Sequence, residues 1–223
     1  MHANCRLMIV AVLTTLVTPT FAQEWVEYVH LTDRFIVLFP DAPTVRETTY
    51  VSAHDVVFPA REYSVRNSRG LFSMIAVDYT EAERRHEERP DQTDASSGER
   101  FWVMDVRASV AYEAQRWREQ EGEITYDGWA DINKVEGHQL QITNPDESRS
   151  FVGIFLNDSR LYVLNATVPK GFPAPELFRT SLQFLDENGR RVRYTTDPNG
   201  QRIDAQARPL DDPVDGMTRM VVE

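Results

Sequence analysis

A pair of apolar runs between Phe151 and Pro169 constrains the fold more than any other part of the sequence. The runs extend from Phe151 to Leu156 and from Arg160 to Val168, and the polar stretch Asn157-Asp158-Ser159 separates them. Both are rich in β-branched and aromatic residues, and this pattern predicts a β-hairpin. Both faces of the second run are largely apolar, which is typical of a central strand that is covered on both sides.

The remainder of the chain predicts the elements that cover this hairpin. Further strands are predicted at Phe35–Phe39, Val56–Arg66 and Leu71–Tyr79. Apolar residues at spacings of three and four predict one long helix that ends at Gly122, and its stripe consists of Val103, Val106, Val110, Ala114 and Trp117. A short helix is predicted near Thr80 and another from Leu177 to Leu185. The fold class is therefore α+β, an antiparallel sheet flanked by one long and one or two short helices.

The two ends of the chain differ in composition from the part between them. Residues 1–22 carry Arg6, the apolar run Leu7 to Val17 and the small residues Thr20 and Ala22, which together predict a secretory signal peptide that is cleaved after Ala22. Residues 23–204 are predicted to form a single α+β domain. Residues 205–223 are polar, acidic and interrupted by proline, which predicts a flexible tail.

The charge and the cysteine count limit the partners. The net charge of −11 argues against nucleic acid and anionic lipid surfaces as partners. The single cysteine, Cys5, lies in the predicted signal peptide, so the exported domain is expected to have no disulfide. We expect a periplasmic or secreted protein with no stable membrane insertion after cleavage. The alternative is an uncleaved apolar anchor.

Three motifs resemble those of a known family. They are Phe35-x-Val37-x-Phe39-Pro40-x-x-Pro43, Arg160-Leu161-Tyr162-x-Leu164-x-Ala166 and Phe178-x-x-Ser181-x-x-Phe184. Their order and spacing resemble exported bacterial proteins related to the PsbP-like α/β sandwiches, over roughly residues 24–194. The resemblance implies an antiparallel sheet with flanking helices and a non-enzymatic binding or assembly role. The sequence departs from the family pattern at Asp41, where glycine is common, and at His138 and Gln139, which replace Arg and Glu.

Motifs of catalysis and cofactor binding are missing from the sequence. It contains no Gly-x-Ser-x-Gly elbow, no phosphate loop and no dinucleotide fingerprint. None of the histidines beyond the predicted signal peptide has a second histidine or a cysteine at ligand spacing, so no metal site and no cofactor are predicted. His86 is flanked by Glu83 and Glu87, and this charged stretch is interpreted as an exposed helix face.

The candidate binding residues are Tyr126, Asp127 and Trp129. Asp127-Gly128 is a turn signal, and a large aromatic residue directly after a turn is expected to be partly exposed. Exposed aromatic side chains often anchor partners and ligands. The alternative is that Trp129 folds back onto the sheet as part of the core.

Three functions are compatible with these observations. The first is an exported, non-catalytic binding or assembly module of the cell envelope, which binds another envelope protein or a small ligand. The second is a periplasmic hydrolase that uses two carboxylates among Asp105, Asp127 and Asp131, provided that the fold brings them together. The third is a structural envelope protein that uses its tail as a tether.

Overall fold

The computed structural model describes residues 25–89, 101–204, 207–211, 213 and 217–223, so the predicted signal peptide lies outside the described residues. The elements in chain order are β1 Val26–His30, β2 Phe35–Phe39, β3 Thr44–Val51, β4 Val57–Asn67, β5 Gly70–Asp78, α1 Ala82–Glu87, α2 Phe101–Arg118, β6 Glu123–Ile132, β7 Val135–Thr143, β8 Arg149–Asn157, β9 Arg160–Val168, α3 Glu176–Arg179, β10 Gln183–Leu185, β11 Arg191–Val192, β12 Tyr194–Thr196, β13 Arg202–Asp204 and β14 Thr218–Val222.

A seven-stranded antiparallel sheet forms the centre of the molecule. Its strand order is β3-β4-β5-β9-β8-β7-β6, so β9 is the middle strand. The predicted antiparallel sheet and the predicted central hairpin are thereby confirmed. Asp158 and Ser159 both have positive φ, at 46° and 55°, which is the backbone geometry of a type I′ turn between two strands.

Both faces of the central strands of this sheet are covered. Along β9, Tyr162 and Leu164 lie in one apolar core and Leu161 and Val163 in another, because successive side chains of a strand point to opposite faces. The second core is shared with α2, which contributes Val106, Val110 and Ala114. The helix stripe and the hairpin therefore meet in one core.

A second sheet covers the other face, and the sequence did not predict it. Its strand order is β11-β10-β2-β1-β14, and Phe35, Val37 and Phe39 of β2 pack towards Tyr162 and Leu164 of the large sheet. The helix predicted from Leu177 to Leu185 is wrong in its second half. Only α3 is helical there, because Phe184 is drawn into strand pairing with Phe35.

The predicted flexible tail is wrong for its last residues. Strand β14, Thr218–Val222, pairs in parallel with β1, and Glu27 lies beside Arg219 in this pairing. Arg219 Nε donates to Glu27 Oε2 at 2.7 Å, and the Glu27 side chain is almost fully buried. A buried carboxylate needs a cationic partner, and β14 supplies one.

The turn predicted at Asp127-Gly128 is also wrong. Both residues lie inside β6, and the chain reverses instead at Asn133 and Lys134, whose φ angles are 51° and 66°. Asn is one of the residues that best tolerate positive φ, so the polar pair favours the hairpin at this position. Within the described ranges, no helix is long and apolar enough to cross a membrane.

Candidate functional site

The three predicted binding residues lie on β6, which is an edge strand of the large sheet. Asp127 is the cross-strand partner of Leu140, and Trp129 is the partner of His138, so both point to the face that carries α2. Tyr126 points to the opposite face. Trp129 is 72% exposed and Tyr126 is 48% exposed. The structure therefore brings Asp127 and Trp129 together and separates Tyr126 from them.

Asp127 joins the end of α2 to the edge of the sheet. Arg118 binds both of its carboxylate oxygens, with Nε 2.6 Å from Oδ2 and one terminal nitrogen 2.9 Å from Oδ1. His138 Nε2 lies 2.5 Å from Asp127 Oδ1 and 3.0 Å from the same Arg118 nitrogen. An ionised carboxylate can only accept, so the shorter contact, from Nε2 to Asp127 Oδ1, requires a proton on Nε2. His138 therefore donates to Asp127.

These contacts determine the protonation state of Asp127. The hydrogen bonds from Arg118, with a smaller contribution from His138, hold the pKa of Asp127 well below its usual range. The carboxylate is thus ionised and fully engaged, which makes it a poor general base. Its role is structural, because it holds His138, the side chain against which Trp129 rests. The rings of Trp129 and His138 meet edge to face, with centroids 5.4 Å apart.

A groove of about 870 Å³ runs past Trp129. One wall is the β6–β7 hairpin, which presents Trp129, Asp131 and Glu136. The other wall comes from β12, β13 and the turn between them, and includes Thr196 and Arg202. An exposed aromatic ring that borders a concave surface with a few charged groups is a typical binding arrangement.

Asp127 meets neither of the other two carboxylates of the hydrolase hypothesis. Asp105 and Arg118 are thirteen positions apart on α2, which corresponds to about 20 Å of helix, and Asp127 is bound to Arg118. Asp131 lies four residues beyond Asp127 on the same strand, a separation of about 13 Å. The hydrolase hypothesis thus loses both of the carboxylate pairs that include Asp127.

Asp105 belongs instead to a polar cluster between the helices and the sheet. Its Oδ2 lies 2.9 Å from His86 Nε2, and both side chains are buried. The interpretation of His86 as part of an exposed helix face is therefore wrong, because this face of α1 turns inwards against α2. Glu113 lies in the same layer and accepts hydrogen bonds from Tyr50 and Arg116 at 3.1 and 3.0 Å.

Another buried polar cluster lies between the two sheets around Asp33. Arg61 donates to Asp33 Oδ1 at 2.5 Å, and the Tyr63 hydroxyl donates to Oδ2. The Tyr162 hydroxyl donates to the main-chain oxygen of Asp33 at 2.8 Å, and the main-chain N–H of Asp33 donates to His30 Nδ1 at 3.1 Å. The cluster is saturated with internal partners, so it fixes the β1–β2 turn against the large sheet.

Sequence reasoning missed Arg118 and His138 as neighbours of Asp127. A signal existed, because a two-residue turn at Asn133 and Lys134 places Trp129 opposite His138. Arg118 had no such signal, since only the packing of α2 across the sheet brings it to β6. Among the residues in the described ranges, no group of three or more acidic, histidine or cysteine side chains could hold a metal ion.

The sequence matches no protein-family model and no curated protein. Among solved structures, the chain is similar to the solution structure of cyanobacterial PsbP (CyanoP) from Synechocystis sp. PCC 6803. The identity is 11%, the TM-score is 0.36, and the match covers 70% of this chain and 86% of the cyanobacterial one.

Proposed function

We propose that this protein is an exported, non-catalytic binding or assembly module of the cell envelope, and that it binds its partner through the groove beside Trp129. The observation that supports the proposal most directly is the 72% exposure of Trp129 on a strand that is paired with β7 without interruption from Tyr126 to Ile132. A rigid, exposed indole loses little conformational entropy on binding, and tryptophan is enriched among the residues that dominate interface energies.

The surroundings of Trp129 favour binding over catalysis. Asp127 is neutralised by Arg118, and its low pKa removes it as a proton acceptor near neutral pH. The groove walls carry charged and polar side chains on both sides, which suits recognition of a polar or charged partner. The acidic net charge of the chain disfavours nucleic acid as that partner.

Photo-crosslinking in the native envelope tests the site. A benzoylphenylalanine is introduced in place of Trp129, and, as a matched control, in place of Val51. Val51 is 45% exposed and lies on β3, the opposite edge of the same sheet. We expect a discrete adduct at position 129 and none at position 51. Equal labelling at both positions, or none at position 129, would show that the groove is not the binding site.

Export is tested separately from binding. The signal pattern of residues 1–22 supports cleavage after Ala22, so N-terminal sequencing of the exported protein is expected to begin at Gln23. Recovery of a stable form that retains Leu7 to Val17 in the membrane fraction would instead favour an anchored protein.

A further inference from the structure

We infer that the free edge of β6 binds an extended segment of a partner protein, in which basic and apolar residues alternate, as an additional strand of the large sheet. This inference rests on the proposed function and specifies the chemistry of the partner. It depends on three features, namely the outer edge of β6, the different character of its two faces, and two carboxylates beside Trp129 that form no ion pair, Asp131 on β6 and Glu136 on β7.

The outer edge of β6 is available for pairing. Strand β6 is the last strand of the large sheet and, among the described residues, pairs only with β7. Its register is regular from Tyr126 to Ile132, beyond an irregularity between Ile124 and Tyr126. The outward main-chain groups of such an edge strand are a ready template for another strand. Seven regular residues are enough to pair with a strand of ordinary length.

The two faces of β6 would contact alternate side chains of an added strand. Asp127, Trp129 and Asp131 project to the α2 side, whereas Tyr126 and Gly128 belong to the other. The Tyr126 hydroxyl lies 3.0 Å from the position that a Cβ on Gly128 would occupy, so the Tyr126 ring covers this glycine. One face is thus charged around an indole ring, and the other offers an aromatic ring for apolar contact.

Two carboxylates beside Trp129 form no ion pair with any of the described residues. Asp131 and Glu136 are direct cross-strand partners, and like charges in that arrangement repel each other. Lys134 and Arg202 also line the groove, but neither forms an ion pair with these acids, and the Arg202 guanidinium is stacked on Tyr194 at 4.1 Å. A lysine or arginine of the partner would offset the repulsion and could stack on Trp129.

The same charges disfavour a second copy of this chain as the occupant. Antiparallel pairing of two β6 strands centred on Trp129 would set Asp127 of one copy against Asp131 of the other. Asp127 is already paired with Arg118, so this arrangement supplies no cation to the Asp131 of either copy. A basic segment of another protein supplies that cation, whereas a second copy paired in this way does not.

Short synthetic peptides test this inference on the protein expressed from its full sequence. The probe is a peptide of eight residues that alternates lysine and valine. The first control replaces every lysine with glutamate, and the second is the lysine peptide with every main-chain amide N-methylated, which leaves no main-chain N–H to donate on either edge of the strand. We expect the lysine peptide to bind and to shift main-chain amide resonances of β6. Both control peptides are expected to bind at least about tenfold more weakly, which is the effect of 1.4 kcal/mol.

Protein variants locate the binding. Trp129→Ala and the double variant Asp131→Asn/Glu136→Gln are each expected to raise the Kd of the lysine peptide at least about tenfold. Val51→Ala, on the opposite edge strand, is expected to leave the Kd unchanged. Equal binding of the N-methylated peptide would rule out strand addition, and equal binding of the glutamate peptide would rule out charge recognition. Absence of any binding, or an affinity unaffected by the site variants, would overturn the inference.

The two experiments can reject either the inference or the proposed function without rejecting the other. A crosslinked partner at position 129, together with no binding of the lysine peptide, would leave the binding function intact and reject the partner chemistry. Peptide binding at β6 without any adduct in the envelope would support the chemistry of the edge while rejecting its use in binding an envelope partner.

Discussion

At the scale of single residues, Trp129 and Val110 illustrate how exposure separates binding from stability. Both are large or branched apolar side chains that a composition count would assign to the core. Val110 is 8% exposed and packs between α2 and the large sheet, whereas Trp129 is 72% exposed on the sheet edge. The free energy of unfolding should therefore depend strongly on the first and weakly on the second.

Truncation of these two residues measures the difference. Val110→Ala removes two methyl groups and leaves a small cavity, so it is expected to lower the free energy of unfolding by about 1–3 kcal/mol. Trp129→Ala is expected to lower it by less than about 1 kcal/mol, as surface changes usually do. Urea unfolding of the two variants and the wild type provides the comparison. A Trp129→Ala protein as unstable as Val110→Ala would mean that the indole contributes to the core.

Asp127 makes the stability of the protein depend on pH in the acidic range. Its folded pKa is depressed by Arg118 and His138, so its contribution is fully present above the unfolded pKa of about 4 and is lost as the pH falls through the folded pKa. Asp127→Asn is therefore expected to have a lower free energy of unfolding than the wild type at neutral pH. The difference between the two proteins is expected to become smaller as the pH falls below about 4. Denaturation series at several pH values test this. A difference independent of pH would show that the Arg118 pair contributes no such linkage.

At the scale of elements, β14 is the outer strand of the small sheet, and it lies far along the sequence from its partner strand β1. Glu27 on β1 is almost fully buried, and its close cationic partner is Arg219 on β14, while a terminal nitrogen of Arg191 lies 3.8 Å from its other oxygen. Loss of Arg219 would leave a buried carboxylate with only this more distant partner. The last strand is therefore expected to matter for stability despite its position at the end of the chain.

A double-mutant cycle tests the role of β14. Arg219→Ala alone is expected to lower the free energy of unfolding by about 3 kcal/mol, because the buried charge of Glu27 loses its close partner. Adding Glu27→Gln removes the charge, so the double variant is expected to be more stable than the sum of the two single changes predicts. Strict additivity, or no effect of Arg219→Ala, would mean that residues 218–222 are not held against β1.

The element scale also shows how far the sequence could predict the fold. The β8–β9 hairpin was predictable because its apolar runs and polar turn are adjacent in the chain. Strand β14 was not, because acidic and proline residues precede it and its partner β1 lies near the other end of the sequence. Asp127 and Trp129 were identified as candidates, although the expected turn is a strand. Arg118 was missed because only tertiary packing brings a helix end to the sheet edge.

At the scale of the whole molecule, the large sheet links two apolar cores. Strands β5, β8 and β9 carry buried side chains on both faces, so neither core can be lost without exposing strands of the other. Trp25 reports on the side of the small sheet, where its ring meets Phe72 edge to face with centroids 6.1 Å apart. Trp117 reports on the other side, because it packs against the core beneath α2. Each side thus has its own tryptophan.

We expect the two layers to unfold together as one cooperative unit. The indole N–H resonances of Trp25 and Trp117 should lose their native intensity at the same urea concentration, because the strands between them belong to both cores. Val110→Ala is expected to lower the urea midpoint reported by both resonances by the same amount, although Val110 lies only in the core on the helix side. Phe184→Leu is the matched change in the other core and is expected to do likewise. Separate midpoints for the two indoles would show instead that one layer detaches from the central sheet before the other unfolds.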